Sequence, residues 1–97
     1  MKTYQKKPIR ITAIKVTREN AYDVMNWANK IQPADKQVKL AIGAGVIDGL
    51  VIPTKEGDML CSIGDYLIKE PFPTDDRMFY PCKAEMFDLT YDEVEGQ

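Results

Sequence analysis

The last third of the chain alternates short apolar runs with Gly-Asp pairs, and this rhythm constrains the fold more than any other feature. Gly57-Asp58 precedes the run 59–62, and Gly64-Asp65 precedes the run 66–69. Glycine adopts positive φ without strain and aspartate hydrogen-bonds the nearby backbone, so both pairs predict turns between short strands. Ligand recognition by the two aspartates is the alternative, and we favour the turn role.

The preceding residues predict a strand followed by one helix. β-branched residues dominate 8–16, and the change of alternation at Ala13-Ile14 indicates a bulge or two buried faces. Thr17 or Asn20 is expected to cap a helix that ends before Pro33. Its apolar stripe at helical spacing comprises Ala21, Val24, Met25, Ala28 and Ile31.

The remaining elements are short and closely connected. Strands are predicted at 38–42, 50–52 (ended by Pro53), 59–62, 66–69 and 78–80, with a turn at 43–45 and a turn or bulge at 48–49. The Pro- and Asp-rich stretch 70–77 predicts an exposed loop, and 83–87 a single helical turn followed by a short strand or tail. We therefore expect one domain over residues 1–97 of the α+β class. It is a small twisted antiparallel sheet or half-barrel of five to six short strands with one packed helix.

Basic and acidic residues are separated along the chain, although the formal net charge is only −2. Residues 1–18 carry six cations and no acid, whereas residues 85–97 carry five acids and no base. The basic segment can bind an anion, but we favour its pairing with the acidic segment of the same chain or of a neighbouring subunit. A sequence pI near 5.1 argues against nucleic acid as the partner.

The sequence predicts no membrane segment. No apolar run approaches the roughly 18 residues that a spanning helix needs, and the basic residues 1–8 lack the apolar stretch that follows in a signal peptide. We therefore expect a cytoplasmic protein with no membrane partner. In that compartment Cys61 and Cys82 are expected to be free thiols that act as small hydrophobes.

The residue types offer little for catalysis. The chain contains no histidine, which excludes a Ser-His nucleophile, and it has no CxxC pair for a metal and no phosphate-binding glycine loop. The acidic pairs Asp75-Asp76 and Asp92-Glu93 are expected to be solvated charges. We expect a non-enzymatic protein with no catalytic residues, metal or cofactor.

Aromatic and cationic residues around one predicted strand indicate a different chemistry. Arg77 precedes the strand 78–80, Tyr80 ends it, and Lys83 follows shortly after. A ring that stacks on a base, next to a cation that neutralises a phosphate, is typical of nucleotide binding, although ordinary strand-edge residues are the commoner interpretation. Trp27 is expected to pack in the core, with a ligand or a second subunit as the alternative.

Several stretches together resemble a family of small bacteriophage proteins with KKPV-I-A, EG-M--PGDYII and FYPCKPDIF motifs. The matching stretches are Lys6-Lys7-Pro8-Ile9-Arg10-Ile11-Thr12-Ala13, Ile52-Pro53-Thr54-Lys55-Glu56-Gly57-Asp58-Met59, Ile63-Gly64-Asp65-Tyr66-Leu67-Ile68 and Phe79-Tyr80-Pro81-Cys82-Lys83, with Phe87 and Thr90-Tyr91. Residues 17–47 form a variable insert. The chain departs from the motifs at Ile63, where proline is usual, and at 84–86, where Pro-Asp-Ile is usual, and both changes are conservative in shape.

The family is similar to the phage sponge proteins that sequester cyclic nucleotide signals of the CBASS defence system. The resemblance implies an anti-CBASS binder of the host cytoplasm that holds a cyclic dinucleotide intact, forms a homo-oligomer and so serves immune evasion. Lys7, Arg10, Arg77 and Lys83 would contact phosphates, and Trp27, Tyr66 and Tyr80 would stack on bases. The alternative is a protein-interaction or structural accessory module, in which the 70–77 loop and the acidic segment contact a host or virion protein.

Overall fold

The computed structural model describes residues 1–74 and 77–94, and these contain six strands and two α-helices. In chain order the elements are β1 (Thr12–Lys15), α1 (Ala21–Asn29), a 3-10 turn (Ala34–Lys36), β2 (Lys39–Gly43), β3 (Val46–Thr54), β4 (Gly57–Ser62), β5 (Tyr66–Thr74), β6 (Arg77–Cys82) and α2 (Ala84–Thr90). The predicted α+β class with short antiparallel strands is confirmed. The strands are divided between two three-stranded sheets, β1-β5-β6 (sheet 1) and β2-β3-β4 (sheet 2).

The turns follow from local backbone demands. Ala44 and Gly45 join β2 to β3 with φ of 52° and 77°, and positive φ at both central residues is typical of the hairpin turn that matches strand twist. The register of β2 and β3 shifts here, from Ala41 opposite Gly49 to Ile42 opposite Ile47, so Asp48 is the extra residue of a bulge. The predicted turn at 43–45 and the bulge alternative at 48–49 are both confirmed.

The core lies between the two sheets and α1. Its fully or almost fully buried members include Val16, Val24, Ala28, Leu50, Ile52, Cys61, Leu67 and Phe79. The apolar stripe of α1 reaches this core through Ala21, Val24 and Ala28. Ile31, predicted to extend the stripe, is 39% exposed because the helix ends at Asn29.

Several predicted boundaries were wrong because proline did not stop the strands. β3 continues through Pro53 to Thr54, and β5 continues through Pro71 and Pro73 to Thr74, in the stretch predicted as a loop. Each of these strands extends beyond its neighbour on one side. Pairing with β2 ends at Val51 of β3, and pairing with β1 ends at Lys69 of β5. Proline is tolerated where no strand needs its missing N–H. The part of the predicted loop at 75–76 lies outside the described residues.

The ends of the other elements also differ from prediction. β1 covers only Thr12–Lys15 of the predicted strand 8–16, and α2 continues to Thr90, well past the single turn predicted at 83–87. Asn20 takes the N-cap position of α1, but no side chain caps that helix. The Asn20 side chain instead accepts from Thr17 N at 2.8 Å and donates to Lys15 O at 2.9 Å, which holds the turn between β1 and the helix.

Candidate functional site

The outer face of sheet 1, opposite the core, carries a cluster of aromatic side chains. Alternation along β5 sends Leu67 into the core and Tyr66 to the outer face. There Tyr66 stacks on Phe87 of α2, with ring centroids 3.7 Å apart and planes within 7°. Phe87 in turn contacts Tyr91 at 4.9 Å between centroids. The three rings form a continuous row that holds α2 on the sheet.

A groove with a volume of about 770 Å³ runs beside this row. One wall is the extended segment 9–13, and the other is the end of α2 with residues 91–94. Tyr66 and Phe87 lie between the walls. Sites for small molecules occupy about 300–1,000 Å³, so the groove is large enough for a ligand or a peptide segment.

The charges that line the groove are unbalanced. Arg10 contributes the guanidinium, and Asp88, Asp92 and Glu93 contribute three carboxylates, which gives a formal charge of −2. The groove therefore favours cationic or hydrogen-bond-donating groups on the acidic side and an anionic group beside Arg10.

Two further predicted site residues lie next to the row. The Arg77 guanidinium carbon is 4.3 Å from the Tyr80 ring centre, and Arg77 Nε forms an ion pair with Glu70 Oε2 at 3.3 Å. Partial burial, together with the nearby Tyr91 phenol and the charge of Glu70, raises the pKa of Tyr80 to about 12. The Tyr80 phenol is thus close to Tyr91 of the groove wall.

Lys83 lies at a structural turn. Its Nζ donates to Asp65 Oδ2 at 3.1 Å, and the same oxygen accepts from Ser62 N at 3.1 Å. Asp65 is buried, Gly64 has φ of 96°, and Gly64 N donates to Val16 O at 2.8 Å. The Gly64-Asp65 pair therefore makes the predicted turn and joins the two sheets, while Lys83 neutralises its carboxylate.

The structure thus brings only some of the seven predicted site residues together. Arg10 and Tyr66 line the groove, Tyr80 lies near Tyr91 of its wall, and Arg77 contacts the Tyr80 ring. Lys7 belongs to an exposed segment outside the groove. Trp27 packs edge-on against Phe79 of the core, with ring centroids 5.2 Å apart.

Sequence reasoning missed the wall formed by α2. Phe87 and Tyr91 are four residues apart, the spacing at which helical side chains meet, and their contact is the signal that could have found the row. The acidic residues of the wall were identified only as part of a charged segment. Among residues 1–74 and 77–94, no group of three potential metal-ligating His, Cys, Asp or Glu side chains converges.

Both cysteines are free, as predicted, and their thiols are protected to different degrees. Cys61 is fully buried, whereas Cys82 is partly exposed. Burial, with a smaller contribution from the nearby Asp65 charge, raises the pKa of the Cys61 thiol to about 12. Burial also raises the pKa of Cys82.

We expect Cys61 to make the protein sensitive to alkali. The thiol of the unfolded chain ionises near pH 9 and the folded one near 12, so its stabilising contribution is complete below pH 9 and is lost as the pH rises to 12. The loss approaches about 1.4 kcal/mol per pH unit within that window. Urea unfolding at several pH values should show a shallower decline for Cys61→Ala than for the parent protein, and a smaller change in slope for Cys82→Ala. Equal slopes for all three proteins would contradict the assignment.

Within the described residues, neither helix has the length and apolar character needed to cross a bilayer. The groove between segment 9–13 and α2 is the feature that bears most directly on function, because it joins two of the predicted site residues to an aromatic surface. Comparisons with protein-family models, with curated proteins and with solved structures found no match to the chain.

Proposed function

We propose that this chain is a bacteriophage accessory protein that binds a cyclic dinucleotide immune signal in the host cytoplasm and sequesters it without cleavage. The observation that carries the proposal is the groove of about 770 Å³ whose lining includes both Tyr66 and Arg10. An aromatic ring and a guanidinium that line the same groove suit a base attached to a phosphate. Residues 6–13, 52–59, 63–68 and 79–83 resemble the family of small phage proteins that is similar to the sponge proteins, which supports the same class of ligand.

The acidic side of the groove fits the base edges of such a ligand. Carboxylates accept hydrogen bonds only, and nucleobases present amino and imino N–H donors at their edges. Asp88, Asp92 and Glu93 would then bind base edges while Arg10 binds a phosphate. We also propose that the active form is a homo-oligomer, since a single copy offers a dianionic ligand only one cation within the groove.

Thermal melting against a panel of cyclic di- and trinucleotides tests the proposal. A ligand that binds only the folded state raises the melting temperature, and at a given concentration a tighter ligand raises it more. Losing a charge-assisted hydrogen bond costs about 1.5–3 kcal/mol, so Arg10→Ala should weaken binding about 10- to 100-fold. Lys39→Ala, an exposed cation on sheet 2, is the matched control and should bind normally.

Chromatography of the recovered ligand completes the test. Intact nucleotide is expected after release from the protein. A cooperative melt with no shift across the panel would overturn the proposal, and a hydrolysed ligand would overturn sequestration in favour of an enzyme.

A protein-interaction role is the second candidate, and the exposed end of the β5–β6 hairpin favours it. Phe72 is 68% exposed there, between Pro71 and Pro73. A bulky exposed ring on a stiff strand is a common anchor for a partner protein. If this role holds, a host or virion protein that co-purifies with the chain should be lost on Phe72→Ala, while nucleotides leave the melting temperature unchanged.

A further inference from the structure

The groove wall at 9–13 leads into an unpaired strand edge. β1 pairs with β5 on one side, and no strand of the described chain pairs with its other side. Exposed edges of this kind accept a further extended segment through main-chain hydrogen bonds. The groove beside this edge is open along the same segment.

The segment that precedes the groove wall does not pack against the rest of its own chain. Residues 1–8, here called the arm, are exposed and have no regular secondary structure. Within the described structure, no side-chain hydrogen bond or ion pair joins the arm to other residues, and none of its residues lines the groove. Its Tyr4 is 86% exposed.

The charges of the arm and the groove are complementary. The arm carries Lys2, Lys6 and Lys7 without an acid, while the groove has a formal charge of −2. Ile9, Ile11 and Val94 of the lining give the arm apolar groups to contact as well. The unpaired strand edge and the charge of the groove thus point to the same occupant.

We propose that the arm of a second copy of this chain occupies the groove. It lies along the wall at 9–13, adds to the unpaired edge of β1 and pairs its lysines with Asp88, Asp92 and Glu93. Reciprocal exchange of two arms gives a closed two-fold dimer in which each copy donates one arm and accepts one.

A copy of the same arm is poorly placed to fill its own groove. The arm is continuous with the wall, so it would have to reverse at Lys7-Pro8 to lie against 9–13. Tight two-residue hairpins need positive φ at their first or at both central residues, and proline fixes φ near −65°. Exchange between copies lets the chain stay extended through this point.

The exchange changes the charge of the groove. Three lysines brought by the second copy turn the formal charge of −2 into +1. Lys7, which lies outside the groove of its own chain, would then reach the groove of its partner. An ionised carboxylate has about four acceptor sites, so Asp88, Asp92 and Glu93 can pair with lysines of the arm and still accept from base edges. Binding of a nucleotide beside the arm rests on the proposed function, whereas the exchange itself does not.

Charge reversal tests the exchange without any nucleotide. The arm variant carries Lys2→Glu, Lys6→Glu and Lys7→Glu, and the groove variant carries Asp88→Lys, Asp92→Lys and Glu93→Lys. Sedimentation equilibrium should give a dimer for the parent chain and a dimer at least tenfold weaker for each variant alone. An equimolar mixture of the two variants should regain the parent's dimer affinity, because both exchanged contacts are again between opposite charges.

The controls separate this inference from simple misfolding and from the proposed function. Lys39→Glu changes one charge outside the arm and should leave the dimer intact, and cooperative melting of each variant shows that it is folded. A monomeric parent chain, unchanged dimers in both variants, or a mixture that stays monomeric would each overturn the exchange. Failure of nucleotide binding with dimers behaving as expected would overturn only the proposed ligand.

Discussion

Phe79→Ala should lower the free energy of unfolding by about 3–5 kcal/mol, as expected for a fully buried aromatic side chain. Phe79 is 1% exposed, and Trp27 contacts its ring edge-on at 5.2 Å between centroids. Truncation leaves a cavity between sheet 1 and α1 that the surrounding side chains fill only in part. The free energy of unfolding of such domains is only about 5–15 kcal/mol, so this substitution removes a large share of it.

Phe72→Ala is the matched control for this prediction. Phe72 lies on the neighbouring strand β5 but is 68% exposed, so its loss should change stability by no more than about 0.5 kcal/mol. Urea unfolding followed by far-ultraviolet circular dichroism measures both variants without relying on the fluorescence of Trp27. Similar losses in the two variants would show that the core does not lie where we describe it.

Gly49→Ala should cost at least about 3 kcal/mol, because steric overlap and backbone strain act together. A Cβ atom at Gly49 would lie 2.1 Å from the carbonyl oxygen of Cys61 and 2.9 Å from Ser62 Cα. Both atoms belong to the backbone of β4, so neither can rotate away. Gly49 also has φ of 155°, which a residue with a side chain rarely adopts.

Gly45→Ala separates the two contributions. Gly45 has φ of 77°, but no heavy atom lies within 4 Å of the position that a Cβ would take. Its substitution should therefore cost only the conformational strain, about 1–2 kcal/mol. Equal losses of stability for the two alanine variants in thermal and urea unfolding would contradict this explanation. They would show that the close approach of β3 and β4 does not determine the need for glycine at position 49.

The parts of the fold that local chemistry determines could be predicted from the sequence. The turns at 43–45 and 64–65 were found because positive φ and local hydrogen bonding leave few alternatives to glycine and aspartate. Strand ends near Pro53 and Pro71 were missed, since whether proline stops a strand depends on how far the neighbouring strand extends. That length is a property of the assembled sheet.

The groove could not be predicted from local sequence patterns either, because it depends on how distant segments assemble. Its two walls, 9–13 and the end of α2 with 91–94, are separated by most of the chain. Arg10 and Tyr66 could be chosen as binding residues by type, but nothing in the sequence places them beside Asp88 and Asp92. Conversely, Trp27 has the right chemistry for stacking and is engaged with Phe79 of the core.

The side chains of sheet 1 alternate between a face that packs in the core and a face that lines the groove. Leu67 and Phe79 face the core, whereas Tyr66 on the same strand as Leu67 faces the groove. The outer face also carries the fully buried Ile68, so only its exposed groove-lining side chains, such as Arg10, can change without disturbing the packing. What the groove recognises can therefore vary at these exposed positions while the scaffold stays the same.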